Sequence, residues 1–132
     1  MLLLLVLALP ALAQWQADQR LTNNTAVSLM TNNNAWGVAA NGNTVHVVWY
    51  DNRDGNYEIY YKRSTDAGAT WGSDTRLTNN TGISYYPAVA VRGDTVHVVW
   101  QDTFLSEVVY EQARFGFEQA QVATCGRILQ VG

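Results

Sequence analysis

Short apolar segments alternate with polar segments rich in Gly, Asn and Asp along most of the chain. Residues 44–49 (TVHVVW) and 95–100 repeat the same six letters, and both place apolar side chains on the two faces of an extended chain. Residues 57–63 contain a third such pattern, rich in Tyr. Shorter apolar runs lie at residues 36–40 and 88–91. Each is followed by a Gly-centred turn triplet, at residues 41–43 and 92–94. The pattern predicts strands joined by tight turns.

The strands belong to an internal repeat. RLTNNT at residues 20–25 returns at residues 76–81, 56 positions later, whereas TVHVVW returns after 51 positions. The difference of five residues indicates an insertion in the first copy, in the Asn-rich stretch 31–34. A period near 50 residues that contains strands alone favours a β-propeller over a solenoid. We therefore expect an all-β fold, a partial propeller of about two four-stranded antiparallel blades.

The chain divides into three parts on this interpretation. Residues 1–13 are apolar and end in Ala-Leu-Ala, which is typical of a signal peptide. Residues 14–132 would form the incomplete propeller, with blade repeats at about 20–75 and 76–117. The tail, residues 118–132, matches nothing earlier and stays unassigned; a degenerate blade, an amphipathic segment and a shifted reading frame are all open. We expect a secreted or extracellular protein, with the periplasm and the cell surface as alternatives.

The net charge and the cysteine count limit the classes of binding partner that are expected. The net charge is -3 at pH 7, which offers no basic surface for nucleic acid or for an anionic membrane. Once the signal peptide is removed, no membrane association is expected. The single cysteine, Cys125, excludes an intramolecular disulfide and a thiolate metal site. Carbohydrate or glycoconjugate is the expected partner class, together with self-association through exposed blade faces.

One motif carries the resemblance to a known family. Residues 64–71 read STDAGATW and fit the pattern S-x-D-x-G-x-T-W at every fixed position. The fixed positions are Ser64, Asp66, Gly68, Thr70 and Trp71. Here the chain resembles the sialidase (neuraminidase) superfamily of β-propellers, whose BNR repeats, or Asp-boxes, have this form. The resemblance covers roughly residues 15–110 and implies that the motif is a structural hairpin away from the catalytic centre.

The residue types of the motif suit that structural role. Ser64 and Asp66 carry short acceptors that can satisfy the N–H groups of a turn. Gly68 can adopt a backbone conformation closed to residues with a Cβ atom, and Trp71 can bury a large apolar surface. Residues 114–117 (RFGF) stand where a second Asp-box is expected and lack its Ser, Asp and Trp.

No catalytic residue is assigned. The resemblance implies an active site with three arginines, a Tyr/Glu nucleophile pair and an Asp acid/base, drawn from several blades. None of the arginines of this chain lies in a motif that matches those positions: they are Arg20, Arg53, Arg63, Arg76, Arg92, Arg114 and Arg127. About two blades also fall short of the four to eight that a closed propeller needs. Enzymatic activity is therefore uncertain, and for the chain as it stands we expect none.

Two histidines occupy equivalent positions in the repeated strand. His46 and His97 each hold the third position of their TVHVVW copy, and a side chain repeated in this way favours packing or hydrogen bonding over a unique reaction centre. We expect no metal and no cofactor.

Three functional hypotheses follow from the sequence. The first is a secreted, non-catalytic binding or scaffold module of the sialidase-like Asp-box type. The second is a fragment of an exo-sialidase, or of a related glycoside hydrolase, that acts on terminal sialic acids. The third is a self-associating two-blade protein.

Overall fold

The computed structural model describes residues 15–30, 36–103, 107–114 and 121–123. In this part of the chain all regular structure is β, without a helix, and the strands form two antiparallel sheets. The first sheet consists of β1 (Ser28–Leu29), β2 (Val38–Asn41), β3 (Thr44–Asp51), β4 (Glu58–Ser64) and β5 (Thr75–Arg76). The second consists of β6 (Ser84–Arg92), β7 (Thr95–Asp102), β8 (Glu107–Arg114) and β9 (Gln121–Ala123). The all-β prediction is confirmed.

The two sheets follow the same path in the same register. Strands β2 to β5 and strands β6 to β9 each form an antiparallel meander of four neighbours. The second and third strands of each meander align Asp51 with Glu58 in the first sheet and Asp102 with Glu107 in the second. The connection between these strands is two residues shorter in the second sheet.

The inner strand of the first sheet is split into two pieces. Both β1 and β2 pair with β3, at opposite ends of it, whereas the continuous strand β6 covers the same length of β7. The predicted insertion at residues 31–34 falls between β1 and β2, outside the described residues. Ser28 pairs with Asp51 just as Ser84 pairs with Asp102, so the repeat resumes on both sides of the break.

The main hydrophobic core lies between the two sheets. One face of the first sheet packs against one face of the second, because strands with apolar residues on both faces must cover each of them. The buried members of this core are Val48, Tyr50, Ile59, Tyr61, Val89, Val96, Val98 and Trp100. Ile59 and Val48 are completely buried.

A second, smaller core covers the other face of the first sheet. Val47, Trp49 and Tyr60 are buried there, and Leu21 and Trp71 pack against them. In β3 the side chains therefore alternate between two different cores, as the alternation along residues 45–49 predicts.

Strand boundaries differ from the sequence prediction at both sheet edges. The residue pattern predicts an outermost strand that begins near Trp71 and ends near Leu77, whereas the strand of the structure is only Thr75–Arg76. Strand β6 is longer than the predicted run 88–91 and includes a bulge between Tyr85 and Ala88. Bulges of this kind insert residues that the partner strand does not match, which hydrophobic alternation does not reveal.

Several predicted segments lie outside the described residues. They are the signal peptide at 1–13, residues 115–117 at the place where a second Asp-box is expected, and most of the tail at 118–132. Within that tail, Gln121–Ala123 is described and pairs with β8 as the fourth strand of the second sheet.

Candidate functional site

The Asp-box forms a closed turn between β4 and β5. The Ser64 hydroxyl donates to Asp66 Oδ1 at 2.7 Å and accepts from the Gly68 N–H at 2.8 Å. Asp66 in turn accepts from the Thr70 N–H at 2.8 Å and from the Thr70 hydroxyl at 2.5 Å. These bonds, the one to the Thr70 hydroxyl above all, lower the pKa of Asp66 to about 2. The carboxylate is thus an ionised acceptor whose described partners all lie within the turn.

The base of the turn is attached to the sheet. The Gly72 N–H donates to the Arg63 carbonyl at 2.9 Å, and the Ala67 N–H donates to the Asn43 carbonyl at 2.7 Å. The second bond places the Asp-box beside the turn between β2 and β3. Trp71 packs against the smaller core, and its indole N–H donates to Gln19 Oε1 at 2.9 Å. These contacts agree with a structural role for the motif, which stays a prediction.

The backbone of the turn needs two successive residues with positive φ. Gly68 has φ of 89° and Ala67 has φ of 57°. A residue with a Cβ atom is strained in this region, by about 1–2 kcal/mol, whereas glycine enters it freely.

We expect Ala67→Gly to stabilise the protein by about 0.5–1 kcal/mol, since relief of strain exceeds the added chain entropy of the unfolded state. The measurement is chemical denaturation of the variant beside Ala69→Gly. Ala69 lies in the same turn without a positive φ, so the second substitution is expected to be neutral or destabilising. Equal effects of the two substitutions would contradict the strain argument.

A cleft of about 430 Å³ opens next to the Asp-box. Trp71, Tyr61 and Arg63 line it, together with four hydroxyl-bearing side chains: Thr65, Thr70, Ser73 and Thr75. An aromatic ring, a guanidinium group and several hydroxyls in one concave surface can contact a pyranose face and hydrogen-bond sugar hydroxyls or a carboxylate.

The opposite end of the first sheet carries a network of buried charges. Asp51 and Glu58 are completely buried and lie side by side on β3 and β4. Arg53 contacts Asp51 Oδ2 at 2.8 Å and Asp74 Oδ2 at 2.6 Å, and Arg76 contacts Glu58 Oε1 at 2.9 Å. Both guanidinium groups are thus engaged by carboxylates of the chain itself.

The hydrogen bonds around Asp51 determine its charge state. Burial alone would raise the pKa of this carboxyl, but bonds from the Arg53 side chain, Ser28, the Arg53 N–H and Asn24 outweigh burial and hold the pKa well below its usual range. Asp51 is therefore a buried carboxylate with several donors, which is what makes its burial tolerable.

The same polar cluster is built twice. Asn24 Nδ2 and the Ser28 hydroxyl donate to Asp51 Oδ2 at 3.0 and 2.5 Å. In the second sheet Asn80 and Ser84 make the equivalent bonds to Asp102 Oδ2, at 2.7 and 3.1 Å.

Sequence reasoning missed this cluster. Its signal was the recurrence of Asn, Ser and Asp at matching positions of both copies, each time with Asn in RLTNNT and Asp two residues after TVHVVW.

The tyrosines of the first sheet are held as phenols. Burial, and then a hydrogen bond from its hydroxyl to Asp54, raise the pKa of Tyr60 well above its usual range. Burial likewise raises the pKa of Tyr61. Both side chains are buried, with 3% and 9% of their surface exposed.

His46 is buried, and its Nδ1 lies 2.7 Å from the Tyr61 hydroxyl, with the two rings stacked at 5.9 Å. Burial lowers the pKa of His46, and Arg63 lowers it further. The imidazole therefore packs and hydrogen-bonds as the repeat predicts. His97 is partly buried on the corresponding strand of the second sheet.

Among the described residues no group of three or more His, Cys, Asp or Glu side chains is arranged to hold a metal ion. The described part of the chain also contains no helix long and apolar enough to cross a membrane. Comparisons of the chain with protein-family models, with curated proteins and with solved structures found no match.

Proposed function

We propose that this chain is part of an exported, sialidase-like Asp-box β-propeller that serves as a non-catalytic binding or scaffold module. The observation that carries the proposal is the repetition of one antiparallel four-strand meander, in one register, packed face to face with its copy. Such stacked meanders are the construction principle of propeller blades. The complete Asp-box at residues 64–71 adds the resemblance to the sialidase superfamily.

The charge network supports a non-catalytic role. Arg53 and Arg76 are held by carboxylates of the first sheet, whereas a sialidase-type site needs arginines that face the substrate carboxylate. The burial of Tyr60, which is 3% exposed, argues in the same direction. The alternative, a fragment of an exo-sialidase or related glycoside hydrolase, has the Asp-box resemblance as its support.

Carbohydrate is the ligand class that the cleft beside the Asp-box supports best, because the cleft combines Trp71 and Arg63 with hydroxyl groups. The guanidinium group favours sugars that carry a carboxylate.

We expect immobilised acidic oligosaccharides to bind the purified chain, and Arg63→Gln to weaken that binding at least tenfold, a loss of about 1.4 kcal/mol. Arg92→Gln, at the exposed turn between β6 and β7, is the matched control and is expected to bind like the wild type. Equal binding by both variants would show that the cleft is not the carbohydrate-binding site.

Activity is tested separately with a fluorogenic sialoside. We expect no hydrolysis above the rate of the buffer. Turnover that persists in the purified chain would overturn the non-catalytic proposal and support the glycosidase alternative.

A further inference from the structure

The interface between the two sheets is asymmetric, because the face that the first sheet contributes differs from the face that the second sheet contributes. The first sheet contributes the face of β3 and β4 that contains Val48 and Ile59, and the second contributes the face of β6 and β7 that contains Val89 and Val98. The repeat allows each of these positions to be compared with its counterpart in the other sheet.

On the second sheet, the counterpart of Ile59 is exposed. Ile59 pairs with Tyr50, and Val108 pairs with Gln101 at the equivalent place. Ile59 is 0% exposed, whereas Val108 is 58% exposed. Val108 thus lies on a face that corresponds to the covered face of the first sheet, but no sheet of the described residues packs against it.

On the first sheet, the reverse holds. Val38 pairs with Val47, and Val89 pairs with Val98, so Val38 is the counterpart of Val89. Val89 is 5% exposed inside the interface, whereas Val38 is 51% exposed on the outer side of the first sheet. The chain therefore carries, on opposite sides, the two halves of the interface that it already contains.

The segment that contains Leu21 covers part of the outer face of the first sheet. Its position still allows a further sheet to pack on that face. Leu21 packs there against Val47 and Trp49. Its counterpart in the second copy, Leu77, packs against the core between the two sheets. A leucine at this repeat position is therefore compatible with a sheet packed on the same face.

We propose that copies of this chain associate head to tail, with the Val38 face of one copy against the Val108 face of the next. The occupant of both faces is a second copy, because each face holds the place, in the repeat, of one side of the established interface, with Gln101 on the second sheet where the first has Tyr50. Such heterologous contacts leave one face of each kind at the ends of an open assembly, and they form a ring where the rotation closes. The proposal rests on the repeat and does not depend on a carbohydrate ligand.

The first test is light scattering of the purified chain after size exclusion, over a range of concentrations. We expect an average mass that rises with concentration to that of a dimer or larger assembly. A monomer at every concentration would overturn the proposal.

The second test uses the asymmetry of the head-to-tail contact. Val38→Glu and Val108→Glu each remove one half of the interface, so each variant alone is expected to be monomeric. An equimolar mixture restores one intact contact and is expected to give a 1:1 dimer that grows no further. Val27→Glu is the matched control, because Val27 and its counterpart Ile83 are both exposed, at 49% and 42%, and so lie outside the interface.

The outcomes separate head-to-tail contact from other association. Loss of association in Val108→Glu but not in Val38→Glu, or the reverse, would indicate a symmetric contact and contradict the proposal. Association that survives both substitutions, or that Val27→Glu also abolishes, would contradict it as well. Circular dichroism checks that the variants remain folded; both substituted valines are exposed in the free chain, so each variant is expected to fold.

Discussion

Asp51→Ala is expected to lower the free energy of unfolding by about 3 kcal/mol, since removal of one partner from a buried charge pair costs about 3–5 kcal/mol. Asp51 is completely buried and accepts hydrogen bonds from Arg53, Ser28 and Asn24. The substitution leaves these donors without their acceptor, although Arg53 keeps its contact with Asp74. Small domains are stable by only about 5–15 kcal/mol, so much of the stability is lost.

Chemical denaturation of the variant beside Asp18→Ala measures this effect. Asp18 is an exposed aspartate, and its removal is expected to change stability by less than about 0.5 kcal/mol. A similar result for Asp51→Ala would show that the buried network does not stabilise the fold.

The same residue predicts a dependence on pH. Because the folded-state pKa of Asp51 is lowered, its ionised form contributes stability above the unfolded-state pKa of about 3.9. That contribution is complete above about pH 5 and is lost as the pH falls toward the lower folded-state pKa. We therefore expect the stability difference between wild type and Asp51→Asn to shrink as the pH is lowered from 6 to below about 3. A constant difference over this range would contradict the assignment.

Ile59→Ala is the second substitution with a large expected effect, a loss of about 2–5 kcal/mol in unfolding free energy. Ile59 is completely buried between the two sheets, so alanine leaves a cavity that packed neighbours such as Val48 and Trp100 fill only in part.

Val108→Ala provides the matched comparison, because Val108 has the same place in the second sheet and is 58% exposed. At a protein concentration low enough for monomers, we expect this variant to lose less than about 0.5 kcal/mol. Denaturation curves of both variants measure the difference. Equal losses would contradict the placement of the main core between the sheets.

Much of the local structure could be predicted from the sequence. Strands β3 and β7 lie on the two TVHVVW segments, and the Gly-centred triplets at 41–43 and 92–94 connect antiparallel strands. Gly42 and Gly93 both have φ of 58°, the conformation for which glycine is suited. These features depend on side-chain alternation and turn chemistry, which involve residues close together in the chain.

The ion pairs at the end of the first sheet opposite the Asp-box could not be predicted in this way. Arg53 meets Asp74, and Arg76 meets Glu58, only because β3, β4 and β5 bring distant residues to one end of the sheet. The cleft beside the Asp-box likewise requires the side chains of both β4 and the segment before β5. Charge spacing along the chain carries no signal for contacts of this kind.

The sequence by itself determined the repeat, the strand positions and the hydrogen-bonding groups of the Asp-box, since each of these depends on short-range chemistry. Where the two copies of a repeated position differ in burial, only the tertiary structure decided which copy is buried. Ile59 and Val108 stand at equivalent places in equivalent strands, yet one is covered and the other is exposed. The physical reason is that burial depends on the sheet that lies opposite, and a repeated sequence does not specify on which side its neighbour packs.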